Sequence, residues 1–352
     1  MNNLSFFKIA SKSGAKKNIF FVNSVNNLKK SKLLSIDLNI ENSFYIFLVN
    51  TDNKTQAMDC INGNDKNTTF LSLTKKPNRV RFWKYIYLFS LYLLTLRIIK
   101  PQNIYLFHNY GHYALIKLAC SKKTKINLIE DGLFNYSNHH FERRNLTKKG
   151  PISKLWGFKE VFTGIDSFNN YYCSYPEVAK KYINANNYIK INSSLIIQDI
   201  PPFTVKDTKI RITENDILFI NQNYSTIPTK EHFKAVITIL SSFRKNINQN
   251  IYIKLHPNDN LEEVKKILKS YNMIYIIDRY IKAEAIIHER SPKTIISLNS
   301  TTLIYTHLFK RNLILISISP AYIKHFKKFN YDTTQIIKDM NTIKQFEFIK
   351  LI

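Results

Sequence analysis

The chain has 352 residues, 44% of them hydrophobic, which suits about two domains with a sizeable core in each. Its 52 basic and 25 acidic residues leave a formal charge of +27, so a polyanion or an anionic membrane surface is the expected partner. Cys60, Cys120 and Cys173 are far apart and odd in number; they exclude a disulfide framework and a cysteine metal cluster, and point to a reducing cytoplasm.

In chain order, residues 1–17 mix Phe6, Phe7 and Ile9 with four lysines and contain no apolar run of the length a secretory signal needs. A frayed terminus is the first reading and a basic interfacial tether the second. Short apolar runs at 18–22, 44–49, 69–73, 104–107 and 126–129 read as strands, with helical patterns near Leu28, Gln56, Tyr87 and Leu115 between them. Residues 82–99 (FWKYIYLFSLYLLTLRII) contain Lys84 and Arg97, so the uncharged run is too short to span a bilayer. A buried or half-buried helix is expected there, with peripheral membrane contact second. The paired prolines of 198–208 (QDIPPFTVKDT) mark a domain boundary. Beyond them strands at 217–220, 251–255, 273–277, 294–298 and 313–317 alternate with helices at 230–243, 261–269, 283–289 and 301–309, and the tail after Pro320 has a helical pattern. The fold class expected is α/β and GT-B-like: two doubly wound Rossmann-type domains facing a central crevice. Residues 1–200 form the first and 201–352 the second.

The stretch 125–137, KINLIEDGLFNYS, runs a buried strand into two acids and a glycine. Glu130 and Asp131 fall at the carboxyl end of that strand, where open α/β sheets place their chemistry. Mutual repulsion raises one carboxylate toward use as a base, and Gly132 permits a sharp turn or a close backbone approach. A solvated acidic turn is the plain alternative.

All seven glycines lie at or before Gly164, so the second domain has no glycine-rich phosphate loop. A nucleotide there must be held by hydroxyls and a helix amino end, which suits a nucleoside monophosphate. Three features fit. In IYIKLHPND (251–259), Pro257 holds the His256 backbone extended, and a histidine titrates near working pH, so it can protonate or hydrogen-bond a leaving phosphate. In ISLNSTTLIYTHL (296–308), Ser300, Thr301 and Thr302 open a helix, as caps or as phosphate ligands. Glu284 opens another helix, as an ordinary first-turn acid or as a partner of ribose hydroxyls. In the first half, His112 and Tyr113 of GHYA open a helix and are candidates to reach an acceptor, with core packing as the alternative. No Asp-x-Asp or histidine cluster has metal-ligand spacing.

These motifs resemble the bacterial capsule polysialyltransferases of glycosyltransferase family 38, and more loosely other bacterial sialyltransferases with acidic-acidic-Gly and His-Pro motifs. The resemblance spans KKNIFFVNSVNNLKKS, HNYGHYALIKL, LIEDG, ITENDILFINQNY, IKLHP and LNSTTLIY. It implies transfer of sialic acid from CMP-sialic acid to a sialic-acid-terminated chain, with inversion and with neither metal nor cofactor. One acid of Glu130 and Asp131 is then the base, with Glu130 preferred, and His256 assists departure of CMP. The implied donor set is Gly132, Asn221, Gln222, Pro257, Glu284, Ser300, Thr301 and Thr302; His112 and Tyr113 stay acceptor candidates. Leu255 stands where the family has a proline, Asp131 where it has Glu, and Leu133 and Phe134 where small residues follow the glycine. Implied partners are a polyanionic saccharide, the cytoplasmic face of the inner membrane and the capsule export machinery. Two rivals remain: a single-addition lipooligosaccharide sialyltransferase, and a basic nucleic-acid-binding protein. Against the second, the lysines are dispersed and no nucleic-acid motif appears.

Overall fold

The computed structural model describes residues 18–49, 67–72, 90, 93–108, 116–117, 120–132, 136, 167–192, 211–224, 227–243, 249–290, 292–309, 312–326, 334–343 and 349–352. The amino-terminal segment, the expected helix near Gln56, the linker 198–208, His112 and Tyr113 lie outside the described residues. The expected helix at 82–99 is described at 90 and 93–99, where it is helical. Contacts divide the chain into two units, Met1–Asp131 with Asn135–Leu195, and Gly132–Phe134 with Ile196–Ile352.

The first unit contains β1 (Asn18–Val22), α1 (Val25–Asp37), β2 (Ser43–Val49), β3 (Thr68–Ser72), β4 (Asn103–Leu106), β5 (Lys125–Ile129), β6 (Phe168–Cys173), α2 (Pro176–Tyr182) and β7 (Ala185–Lys190). Its strands are parallel, in the order β3-β2-β1-β4-β5-β6-β7. Every residue of β1 (NIFFV) is buried, as a parallel strand covered on both faces requires. Tyr45, Phe20 and Tyr105 lie across three neighbouring strands, with ring centroids 5.3 and 4.2 Å apart. Asparagines pair across the same sheet: Asn103 Nδ2 donates to Asn18 Oδ1 (2.7 Å), Asn170 Nδ2 to Asn127 Oδ1 (2.8 Å) and Asn187 Nδ2 to Asn170 Oδ1 (3.0 Å). Those amides explain why β6 (FNNYYC) and β7 (ANNYIK) escape a reading by apolar runs. Their polar residues are satisfied by strand neighbours, so the hydrophobic pattern is broken without the ladder being broken.

The second unit contains β8 (Ile217–Ile220), α3 (Thr229–Ser241), β9 (Ile251–Lys254), α4 (Leu261–Leu268), β10 (Ile274–Ile277), α5 (Ala283–Arg290), β11 (Thr294–Ser297), α6 (Thr301–Phe309), β12 (Ile314–Ser317), α7 (Ser319–His325), α8 (Thr334–Ile343) and β13 (Ile349–Leu351). The order β10-β9-β8-β11-β12-β13 is again all parallel. Each unit thus winds outward in one direction from its first strand and then in the other. Its switch point lies between β1 and β4 in the first unit and between β8 and β11 in the second. This is the α/β, doubly wound fold of the sequence reading, two Rossmann-type sheets in one chain as in GT-B proteins.

Two details differ from expectation. Met273 has φ 61°, in the left-handed region, so β10 starts at Ile274 rather than at Met273. The tail is not wholly helical, because after α8 it closes the second sheet with β13, Ile316 opposite Lys350. Three residues are too few to show a strand period. The pairing is clinched by Ile352 N donating to Ser317 O and Ala321 N to Ile352 O. No helix among the described residues is long and apolar enough to cross a membrane.

α3 turns His232 into the core, where Nδ1 lies 2.6 Å from the Tyr322 hydroxyl and Nε2 lies 2.7 Å from Asn221 Oδ1. The amide oxygen only accepts, so Nε2 bears the proton and Nδ1 accepts from the phenol. Burial pushes the His232 pKa down to about 4, Asp259 offsetting part of the effect. The folded histidine therefore stays neutral where the unfolded one takes a proton. The unfolded state binds more protons below pH 6.5, so stability falls with pH through that window until the folded pKa near 4 is reached. Chemical denaturation between pH 7 and pH 4 should show this group costing about 3 kcal/mol. His232→Gln should flatten that part of the profile; an unchanged slope would contradict the assignment.

Candidate active site

In the first unit the switch-point strands β1 and β4 are followed by Asn23 and His108. Asn27 Nδ2 donates to Asn23 Oδ1 (2.7 Å), which leaves Asn23 Nδ2 directed at His108 Nε2 (2.8 Å). His108 Nε2 also lies 3.6 Å from Asp131 Oδ2. Burial lowers the His108 pKa and the Asp131 charge works against it, so the ring is neutral with Nε2 as an acceptor.

β5 ends in the two acids, and strand alternation sends them opposite ways. Glu130 is fully buried. Its Oε2 accepts from the Tyr136 hydroxyl (2.6 Å) and from Ser174 N, while Lys30 Nζ donates to its main-chain oxygen (2.5 Å). Burial first, and the Glu130 charge second, push the Tyr136 and Tyr171 phenols well up, so both remain protonated. Asp131 is different: its side chain is 35% exposed, beside His108. Gly132 groups with the second unit, where a Cβ built on it would stand 2.2 Å from Thr301 Oγ1. Only glycine fits that approach.

In the second unit the carboxyl ends of β8, β9 and β11 hold three hydrogen-bonded groups. The first centres on Asp259, which is 3% exposed. Its Oδ2 accepts from Asn221 Nδ2 and from His256 N, both at 2.7 Å, and its Oδ1 from Asn223 Nδ2 at 2.9 Å. His256 is half-buried in this turn, Pro257 exposed beside it. Asn258 N donates to His256 Nδ1 (3.2 Å), which assigns the ring proton to Nε2. Burial lowers the His256 pKa, Asp259 opposes this and Lys254 adds to it. A neutral ring with a fixed Nε2–H is a directed donor.

The second group joins β8 to β11. Gln222 Oε1 accepts from Asn299 N (2.8 Å), and the Tyr224 hydroxyl lies 2.9 Å from Gln222 Oε1 and 2.5 Å from Asn299 Oδ1. The third joins the amino ends of α5 and α6: Thr302 Oγ1 donates to Glu284 Oε1 (2.7 Å), and Thr302 N donates to Ser300 Oγ (3.2 Å). Ser300 therefore caps α6, Thr301 sits half-buried in its first turn, and Glu284 is at once a first-turn acid and an anchor for Thr302.

The structure thus ties Asn221, through Asp259, to the turn that carries His256 and Pro257, and it sets Gln222 beside Asn299, and Glu284 with Ser300 and Thr302. Glu130 and Asp131 end one strand of the first unit and face different surroundings. The residues a sequence reading misses are Asn23, His108, Asp259 and Asn299. Their one sequence signal is position just beyond a strand, which becomes informative only when the sheet order reveals the switch points. Among the described residues no group of three His, Cys, Asp or Glu side chains could hold a metal ion.

Residues 18–316 match the model of the family described as Alpha-2,8-polysialyltransferase (POLYST). The chain belongs to that family. It is therefore a glycosyltransferase, of the sialyltransferase kind. No curated protein sequence matches it. Among solved structures, the UDP-GlcNAc 2-epimerase of Methanocaldococcus jannaschii is 12% identical over 93% of this chain and 99% of its own, with a TM-score of 0.54. The UDP-N-acetylglucosamine 2-epimerase of Rickettsia bellii is 15% identical over 87% and 79%, also at 0.54. The α/β-galactoside α-2,3-sialyltransferase of Photobacterium phosphoreum is 15% identical over 96% and 99%, at 0.47. The two epimerases share the two-unit fold, and the likeness extends to the fold alone.

The contrast between the acids predicts different costs on stability. Removing the Glu130 carboxylate leaves the Tyr136 hydroxyl and Ser174 N without their buried acceptor, so Glu130→Ala should cost about 2 to 5 kcal/mol. Asp131→Asn, at an exposed site, should change stability by less than about 0.5 kcal/mol. Equal losses in thermal unfolding of the two variants would contradict these placements.

Proposed function

We propose that this enzyme extends a sialic-acid-terminated chain from CMP-sialic acid, with inversion and without a metal ion. The observation that carries this reading is the donor set of the second unit: His256 Nε2–H with its tautomer fixed by Asn258 N, together with a hydroxyl-topped helix, α6, in a stretch of sequence that has no glycine after Gly164. Those groups meet the needs of a nucleoside monophosphate. The α6 amino end and the hydroxyls of Ser300 and Thr301 hold the phosphate, Thr302 braces Glu284 beside them, and Glu284 with Asn221, Gln222 and Pro257 borders the nucleoside. Because His256 and these donors offset the charge of the departing phosphate, the chemistry calls for no cation.

The base is assigned to Asp131 rather than to Glu130. Glu130 is fully buried and accepts two hydrogen bonds from Tyr136 and Ser174, which makes it a positioning residue; Asp131 is solvent-accessible and lies beside a neutral histidine. The acceptor hydroxyl oxygen attacks the anomeric carbon of the sialyl group as the bond from that carbon to the CMP phosphate oxygen breaks. The hydroxyl proton passes to Asp131, and His256 Nε2–H stabilises the phosphate that leaves. Attack opposite to departure inverts the anomeric centre. Polymerisation is favoured by the +27 charge, which draws and retains an acceptor with one carboxylate per sugar. The same charge suits work at the cytoplasmic face of an anionic inner membrane, beside the capsule export machinery.

The test supplies CMP-sialic acid with either an oligosialic or a lactose-terminated acceptor and reads products by mass. A ladder is expected only from the oligosialic acceptor, shortening as salt screens charges over a Debye length of about 8 to 10 Å. Asp131→Asn and His256→Ala should each lower kcat by about 100-fold or more. A single addition to lactose, with no ladder at any salt, would replace this reading with that of a single-addition lipooligosaccharide enzyme.

A further inference from the structure

Lys254 ends β9 two residues before His256, yet only 5% of it is exposed. Lysine is almost never so buried unless paired. Here the ammonium donates to two main-chain oxygens, those of Leu255 and of Arg279 (the latter at 3.2 Å). Leu255 directly precedes His256, and Arg279 follows β10, the strand beside β9. The ring of contacts then closes. Arg279 Nη1 donates to Asp259 O (2.9 Å), and the Asp259 carboxylate accepts from His256 N (2.7 Å). Lys254 therefore fastens the Leu255 end of the segment that presents the imidazole directly, and the Asp259 end through Arg279.

We propose that Lys254 is a positioning residue for His256, holding the His256–Pro257 turn against the loop after β10 and setting the field in which the imidazole works. The proposal rests on the reading that His256 serves the departing phosphate. The charged groups facing Lys254 are Glu284 on α5, Asp259 in the turn, Asp278 after β10 and His256 itself. Burial pushes the Lys254 pKa down to about 8, and the three carboxylates resist that fall. At neutral pH the ammonium is charged, and as a like charge it disfavours protonation of His256. Burial first, and this charge in addition, keep the imidazole neutral against the pull of Asp259, with Nε2–H available.

Lys254→Met keeps the length of the stem and removes the charge. Provided it unfolds cooperatively, its kcat should fall about 10- to 100-fold, as expected for a catalytic group slightly misplaced, with little change in KM for CMP-sialic acid. The ring titration of His256, followed by NMR below pH 8, should move to higher pH. A folded variant with unchanged kcat and an unmoved titration would overturn the proposal. If Lys254→Met does not fold, Lys254→Gln is read instead, since its amide can still donate to the two carbonyls. An upward-shifted His256 titration in that variant supports the proposal, and an unmoved one overturns it. The NMR reading needs no turnover. It therefore separates failure of this proposal from failure of the sialyl-transfer reading, which would appear as full activity in His256→Ala.

Discussion

A parallel strand covered on both faces can present chemistry only where it ends. That constraint acts twice in this chain. β1, β8 and β9 are buried along their whole length, so their polar and titratable neighbours collect just beyond their carboxyl termini. Because each sheet reverses its winding beside its first strand, two such ends diverge into a crevice that backbone does not fill. Asn23 with His108 marks it in the first unit, and Asn221 to Tyr224 with Asn299 and Ser300 marks it in the second.

What fixes the chemistry at those ends is the satisfaction of buried polar groups. Asp259 accepts from Asn221, Asn223 and His256 N, and Asn221 in turn meets His232, which meets Tyr322. Each link selects a tautomer or an amide orientation in the next, so the imidazole near the expected phosphate inherits its direction from a chain of contacts anchored on α7. Glu130 plays the comparable part in the first unit. Its carboxylate is held by Tyr136 and Ser174, bracing the turn on which Asp131 is displayed. Burial without such partners would cost several kcal/mol per charge, so these networks decide which residues are free to meet substrate and which hold the frame.

Much of the fold is legible in the sequence, because apolar runs such as FFV in β1, ILFI in β8 and IYI in β9 give the period of buried parallel strands directly. β6, β7 and β13 are not. Asn170 and Asn187 hide strand character behind amides that pair across the sheet, and Ile349–Leu351 is shorter than the period that would announce it. The site divides in the same way. Glu130, Asp131, His256 and Ser300 to Thr302 stand in motifs that can be read from residue types and neighbours. Which acid faces solvent cannot be read, since it depends on the register of β5, and exposure favours Asp131 over the Glu130 preferred from sequence. His108 and Asp259 gain meaning only from strand order and from a turn, neither of which a local pattern encodes.

The proposed reaction depends on the second unit binding a cytidine monophosphate sugar at the carboxyl ends of β8, β9 and β11. The most direct measurement is a titration of the isotopically labelled protein with CMP, followed through its backbone amide resonances. The largest shifts should fall on residues 221–224, 256–259 and 299–302, saturating together with one affinity. Saturable shifts confined to the first unit, or shifts with UDP at those residues and none with CMP, would contradict that binding.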